Sequence, residues 1–132
     1  MGTWGTGTFD NDQAMDWILD LGESHDLSII QKLLSSNATG RDLDASVGVD
    51  ILSAAEVVAA LTGRPSEDLP DDVAAWIKAH PKLDAAPLKE KARILVNSVL
   101  APTSELRILW EENAEDCPQW KSGVLDLLAR LR

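Results

Sequence analysis

The sequence predicts an all-α fold: a compact single-domain bundle of about seven short helices, preceded by an irregular N-terminal arm rich in Gly, Thr and Trp. Apolar residues recur at helical spacing along most of the chain, and no alternating strand pattern of convincing length interrupts them. Gly and Pro divide these stretches at short intervals. A chain of 132 residues buries roughly two thirds of its unfolded surface, which suffices for a core without disulfides or metal.

The first predicted helix begins at a capping box, in which Asp10 is the N-cap and Gln13 stands three residues on, and it ends at Gly22. At about 100° per residue its apolar and acidic residues fall on opposite faces. The inward face is predicted to hold Ala14, Trp17, Ile18 and Leu21. The outward face is predicted to hold Asp12, Asp16 and Asp20.

A second helix is predicted over about 26–35 and a third over about 44–62, ending at Gly63. The third helix is apolar on two nearly opposite sides. One side holds Leu43, Val47, Ile51, Ala54, Val58 and Leu61, and the other holds Val49, Leu52, Ala59 and Ala60. A helix of this kind is expected to lie at the centre, with neighbours packed on both sides.

Four further helices complete the prediction. They begin near Pro70, Pro87, Thr103 and Asp116. Thr103 is the predicted N-cap of the sixth helix, which carries Leu106, Leu109 and Trp110 inward. Arg130 and Arg132, at the end of the seventh, are suited to the negative C-terminal end of a helix dipole.

The chain is acidic, with 22 Asp and Glu against 12 Lys and Arg and a net charge of −10. Residues 1–60 account for −8 of this charge, whereas residues 61–132 are nearly balanced at −2. Such a charge excludes the usual nucleic-acid binder and opposes binding to anionic membranes. The lone Cys117, the lack of a signal-peptide pattern and the lack of a membrane-spanning run predict a cytoplasmic protein.

Three glycines in the opening residues 1–12 raise the question of a phosphate loop. No strand precedes them and no Lys follows, and Asp10 and Asp12 would repel an anion at the helix start. The favoured interpretation is that Trp4 and Phe9 pack the arm onto the helices while the glycines permit tight turns. Trp4, outside any predicted helix, is also kept as a candidate contact residue.

Glu56 is the only charged residue from Ile51 through Thr62 and lies on the second apolar side of the third helix. A carboxylate buried there must be hydrogen-bonded, paired with a base, or protonated. The favoured interpretation is a structural network, with the arm's backbone amides or the Trp4 indole as possible donors. The functional alternative is a carboxylate of raised pKa in a cleft.

No metal site or cofactor is predicted. Asp10 and Asp12 resemble the first two ligand positions of a calcium loop, but Met15 and Leu21 occupy its sixth and twelfth positions, where Gly and Glu are needed. Neither His25 nor His80 has a second His three or four residues away, so the sequence gives no zinc pattern.

Three segments carry a family resemblance: the start GTWGTGTFDND, the central AAEVVAALTGRP (residues 54–65) and SELRILWEE (residues 104–112). They resemble the bacterial family catalogued as domain of unknown function 4259. The resemblance implies no reaction. It implies signature positions at Trp4, Gly5, Gly7, Phe9, Asn11, Asp12, Glu56, Glu105 and Trp110.

Two classes of function are left open. The leading hypothesis is a non-catalytic interaction domain whose acidic first half meets a basic protein, as an immunity protein or antitoxin would. The rival is a metal- or carboxylate-dependent enzyme built from Asp10, Asp12, Asp16, Glu56 and Glu105. The candidate binding residues are Trp4, Asp10, Asn11, Asp12, Asp16, Glu56 and Glu105. A homodimer is also possible.

Overall fold

The computed structural model describes residues 5–35 and 43–132, and within them it confirms the all-α prediction. Seven α-helices are present, and no strand occurs in these two stretches. The helices are α1 Asp12–Gly22, α2 Ser28–Leu34, α3 Ala45–Leu61, α4 Asp71–Ala79, α5 Lys89–Val99, α6 Glu105–Glu111 and α7 Cys117–Arg130. A 3-10 helix, Ala86–Leu88, leads into α5. None of the helices described is long and apolar enough to cross a membrane.

Helix α3 is the centre of the bundle, as its two-sided apolar pattern predicts. Every residue from 51 to 60 is buried, and the helix contacts all six of the others. It ends in a Schellman motif in which Gly63, at φ 90°, adopts the left-handed conformation that Gly tolerates best. The Arg64 amide donates to the Ala59 carbonyl at 2.9 Å, and the Gly63 amide donates to the Ala60 carbonyl at 3.1 Å.

Helix α1 presents the predicted faces. Its inward residues Ala14, Trp17, Ile18 and Leu21 are buried, and Asp12, Asp16 and Asp20 are exposed. The predicted N-cap was wrong by one residue, because the cap is Asn11 and not Asp10. The Asn11 Oδ1 accepts from the Ala14 amide at 2.8 Å, and its Nδ2 donates to the Thr8 carbonyl at 3.1 Å.

Helix α6 shows the same one-residue difference. Ser104, and not Thr103, is its N-cap and accepts a hydrogen bond from the Arg107 amide. Only part of its predicted inward stripe is buried: Leu106 is buried and Trp110 half-buried, but Leu109 is 48% exposed.

Ser104→Ala should lower the free energy of unfolding by about 1 kcal/mol, because it leaves a helix N-terminal amide without its acceptor. Thr103→Ala should cost much less, since Thr103 is exposed and makes no side-chain hydrogen bond within the described residues. Urea unfolding of both variants measures the difference. Equal losses would contradict the assignment of Ser104 as the cap.

Candidate functional site

The glycines of the opening loop, residues 5–11, make room for the Asp10 side chain. The Gly7 amide donates to the Asp10 Oδ2 at 3.0 Å, and the Asp10 amide donates back to the Gly7 carbonyl at 3.1 Å. A Cβ atom on Gly5 or Gly7 would lie 2.5 or 2.8 Å from that oxygen, so any other residue there would force the Asp10 carboxylate out of this position. The loop is therefore a tight turn closed by its own carboxylate, and its Gly7 amide is not free to bind phosphate. This arrangement also explains why Asp10 does not cap α1.

Beside this loop lies a cleft of about 840 Å³, which we call the polar cleft. The opening loop, residues 65–68 and α7 form its walls, and Glu56 of α3 also lines it. Its ionisable lining residues are Asp10, Glu56, Glu67, Asp68, Asp126 and Arg130. The fold thus brings together Asp10 and Glu56 of the candidate residues, whereas Asp12, Asp16 and Glu105 do not line this cleft.

Glu56 is buried and forms a two-point ion pair with Arg130. The Arg130 Nη2 donates to Glu56 Oε1 at 2.8 Å, and Nη1 donates to Oε2 at 3.2 Å. The side chains are 4% and 12% exposed, so the pair is largely withdrawn from water. Of the three states open to a buried Glu56, pairing with a base is the one observed.

The same arginine joins the ends of α3 and α7. Arg130 Nη1 also donates to the Arg64 carbonyl at 3.3 Å, and Nε donates to Asp126 Oδ2 at 2.8 Å. Arg64 in turn donates from Nη1 to the Ala129 carbonyl at 2.9 Å. Arg130, predicted only as a helix-dipole residue, is therefore the partner that sequence reasoning missed. The sequence did indicate that a buried Glu56 would need a partner such as a base, but it did not indicate which base.

Burial raises the pKa of Glu56 above its ordinary value, because the two hydrogen bonds and the positive charge of Arg130 offset only part of the lost hydration. For Arg130, burial by itself would lower the pKa, but Glu56 and Asp126 outweigh it and raise the value. The guanidinium therefore stays charged. A raised pKa at Glu56 means that ionising this carboxyl is less favourable in the folded protein than in the unfolded chain.

This shift predicts how Glu56→Gln responds to pH. The pKa of Glu56 is higher in the folded protein than its value of about 4.5 in the unfolded chain, so the folded state binds this proton more tightly. The contribution of Glu56 to stability therefore declines as pH rises from about 4.5 through the folded pKa. Gln does not ionise. The stability of the variant relative to the native protein should therefore improve as pH rises above about 4.5 in urea titrations. A relative stability that worsens with pH would mean that pairing lowers the pKa of Glu56.

Glu105 lies at a second junction, between α6 and α3. Its Oε1 accepts from the Ala45 amide at 2.9 Å, and its own amide donates to the Leu43 carbonyl at 3.2 Å. Asp44 caps the same helix by accepting from the Val47 amide at 2.8 Å. Glu105 thus supplies one of the acceptors that the first turn of α3 needs.

The exposed side of α1 combines acidic and large apolar residues. We call it the α1 face, and it consists of Asp12, Met15, Asp16, Leu19 and Asp20. Leu19 is 67% exposed and Met15 is 37% exposed. The helix contains no Lys or Arg, and its three carboxylates form no ion pair in the described part of the chain. Sequence reasoning identified the carboxylates but missed Met15 and Leu19. Both lie outside the predicted inward stripe, and that position indicates exposure.

The other candidate ligand groups stay apart. Within residues 5–35 and 43–132, no three His, Cys, Asp or Glu side chains are grouped so that they could hold a metal ion. The rings of His25 and His80 lie 5.9 Å apart, and the His80 ring also packs on Trp76. Trp4, a candidate contact residue, lies outside the described residues.

Comparison with known proteins gives a family and no function. The family model described as a domain of unknown function (DUF4259) matches residues 2–123, as the resemblance implied. No curated protein and no solved structure matches the chain. Within the described residues, most signature positions have structural roles: Gly5 and Gly7 in the turn, Asn11 at the cap, Glu56 in the ion pair and Glu105 at the α3–α6 junction. On the match over most of its length, the chain belongs to the DUF4259 family.

Proposed function

We propose that the protein is a cytoplasmic, non-catalytic binding domain whose α1 face receives a basic protein partner. The observation that carries the proposal is the composition of this face: three carboxylates beside two exposed apolar side chains, with no base on the helix. The 11 residues of α1 span about 16 Å. That is long enough for contact with one helix or loop of a partner.

The two kinds of residue on the α1 face serve binding differently. The carboxylates raise the rate of encounter with a positively charged surface and disfavour acidic partners. Leu19 and Met15 supply apolar area that is removed from water only when a partner covers it. A basic toxin neutralised by an immunity protein or antitoxin is the partner type that fits this combination.

The polar cleft supports the enzyme hypothesis less well than the α1 face supports a binding function. It places Asp10 and Glu56 together, as the enzyme hypothesis requires. Both Glu56 oxygens, however, are occupied by Arg130, and the Asp10 Oδ2 is occupied by the Gly7 amide. These hydrogen bonds favour a structural role for the two carboxylates.

The test is capture of partners from a cell lysate by the tagged protein. The variants are Asp16→Lys, Leu19→Ser and the control Glu90→Lys, which makes the same charge change at an exposed position on α5. We expect the native protein and Glu90→Lys to capture the same basic proteins, and Asp16→Lys to lose them. Leu19→Ser should weaken capture at every salt concentration, whereas added salt should weaken the native interaction.

Three results would reject the proposal: only neutral or acidic proteins captured, capture insensitive to salt, or equal losses in Asp16→Lys and Glu90→Lys. All variant positions are exposed, so thermal melting should show that each variant stays folded. A loss of capture is then a property of the surface.

A further inference from the structure

A second cleft, of about 570 Å³, lies against the opening loop, and we call it the tryptophan cleft. Its apolar lining comes from α3 and α6, at Val49, Leu52, Leu106 and Leu109. Trp110 and Trp120 form one side as a stacked pair, with ring centroids 5.9 Å apart and planes inclined by 14°. Trp110 is half-buried, so part of its indole remains accessible.

The charged side chains that line this cleft are all acidic. Glu112 and Asp116 line it, and no Lys, Arg or His does so among the residues described. The basic side chains of α6 and early α7 point elsewhere: Arg107 and Lys121 both pair with Glu111, at 3.5 and 3.9 Å. Glu112 forms no ion pair in the same part of the chain. The negative charge beside the indoles is therefore not neutralised locally.

We propose that the tryptophan cleft binds a small organic cation, an ammonium group carried on an apolar body. An indole face attracts a cation through its negative ring quadrupole, and nearby carboxylates strengthen that attraction. The apolar lining receives the carbon body of the ligand. The volume falls in the range of small-molecule sites, about 300–1,000 Å³, and exceeds what one lysine side chain would fill. The proposal is independent of the α1 face.

The experiment follows the indole N–H signals of the ¹⁵N-labelled protein in NMR titrations with three soluble probes. They are benzyltrimethylammonium, choline, and 3,3-dimethylbutan-1-ol, the neutral isostere of choline. Trp110→Phe identifies the Trp110 signal. We expect benzyltrimethylammonium to shift this signal at the lowest concentration, choline at a higher one, and the isostere least. Equal responses to choline and its isostere, or no shift of the Trp110 signal, would overturn the proposal.

Variants of the tryptophan cleft test whether the cation binds there, and a neighbouring variant serves as the control. Trp110→Leu should weaken benzyltrimethylammonium binding by about threefold to tenfold, while Trp110→Phe retains most of it. Glu112→Gln should weaken binding by about threefold at low salt, and Glu115→Gln, an exposed neighbour that does not line the cleft, should not. Equal effects of Glu112→Gln and Glu115→Gln would overturn the proposal. So would tighter binding of a trimethyllysine pentapeptide than of benzyltrimethylammonium, which would assign the cleft to a protein side chain.

Discussion

Arg130→Met should lower the free energy of unfolding by about 3–5 kcal/mol, because it leaves the Glu56 carboxylate buried without a partner. It also removes the hydrogen bond to the Arg64 carbonyl, which ties the end of α3 to α7. Asp126→Asn is the matched control, since Asp126 is the exposed partner of the same arginine. Its expected cost is at most about 1 kcal/mol. Urea unfolding at neutral pH measures both variants.

The double variant Glu56→Met/Arg130→Met separates the cost of an unpaired charge from the value of the pair. Because burial disfavours the ionised Glu56, apolar replacement of both partners should recover most of the loss and come near the stability of the native protein. A double variant as unstable as Arg130→Met alone would show that the pair stabilises the fold through its own attraction. An Arg130→Met variant of native stability would contradict the observed pairing.

Ile51→Ala and Leu52→Ala should each lower the free energy of unfolding by about 2–5 kcal/mol, through lost burial and the cavity left behind. These neighbours lose the same volume but lie on the two different apolar sides of α3, and both are buried. Ala54→Gly, within the same helix, is expected to cost less, at about 1 kcal/mol of helix propensity plus one lost methyl group. Thermal or urea unfolding measures all three. A small effect at either Ile51 or Leu52 would contradict packing of α3 on both sides.

Much of the fold could be predicted because the helix signals are local. The two-sided apolar pattern of α3 identified the central helix, and Gly63 marked its end. The N-caps were misplaced because Asp10 and Thr103 are as suitable by residue type as Asn11 and Ser104. Contacts that residue type does not reveal decide between them: the Gly7 amide engages Asp10 within the opening loop, and Ser104 is the residue buried at its junction.

The site was less predictable because its contacts are distant in sequence. Glu56 and Arg130 are 74 residues apart, and Glu105 and Ala45 are 60 apart. Periodicity within one helix carries no information about either pair. It did show that Glu56 needed a partner and that the α1 carboxylates face solvent, and the structure agrees on both points.

These contacts change the interpretation of the family signature. Gly5, Gly7, Asn11, Glu56 and Glu105 make hydrogen bonds, or leave room for them, that close turns and join helices. Asp12 has no such contact among the described residues and lies on the α1 face. The signature therefore describes mainly how the chain folds, while Asp12 on the α1 face and Trp110 in the tryptophan cleft are described members that fit a role in binding.

The most direct test of the proposed binding function is a ¹⁵N NMR map of the surface that contacts a captured basic partner. We predict that backbone amide signals broaden or shift mainly along α1, at residues 12–23, and that Asp16→Lys abolishes these changes while Glu90→Lys does not. Changes confined to the polar cleft, at Glu67, Asp68 and Ser122, with α1 unaffected, would contradict the proposal that the α1 face is the binding surface.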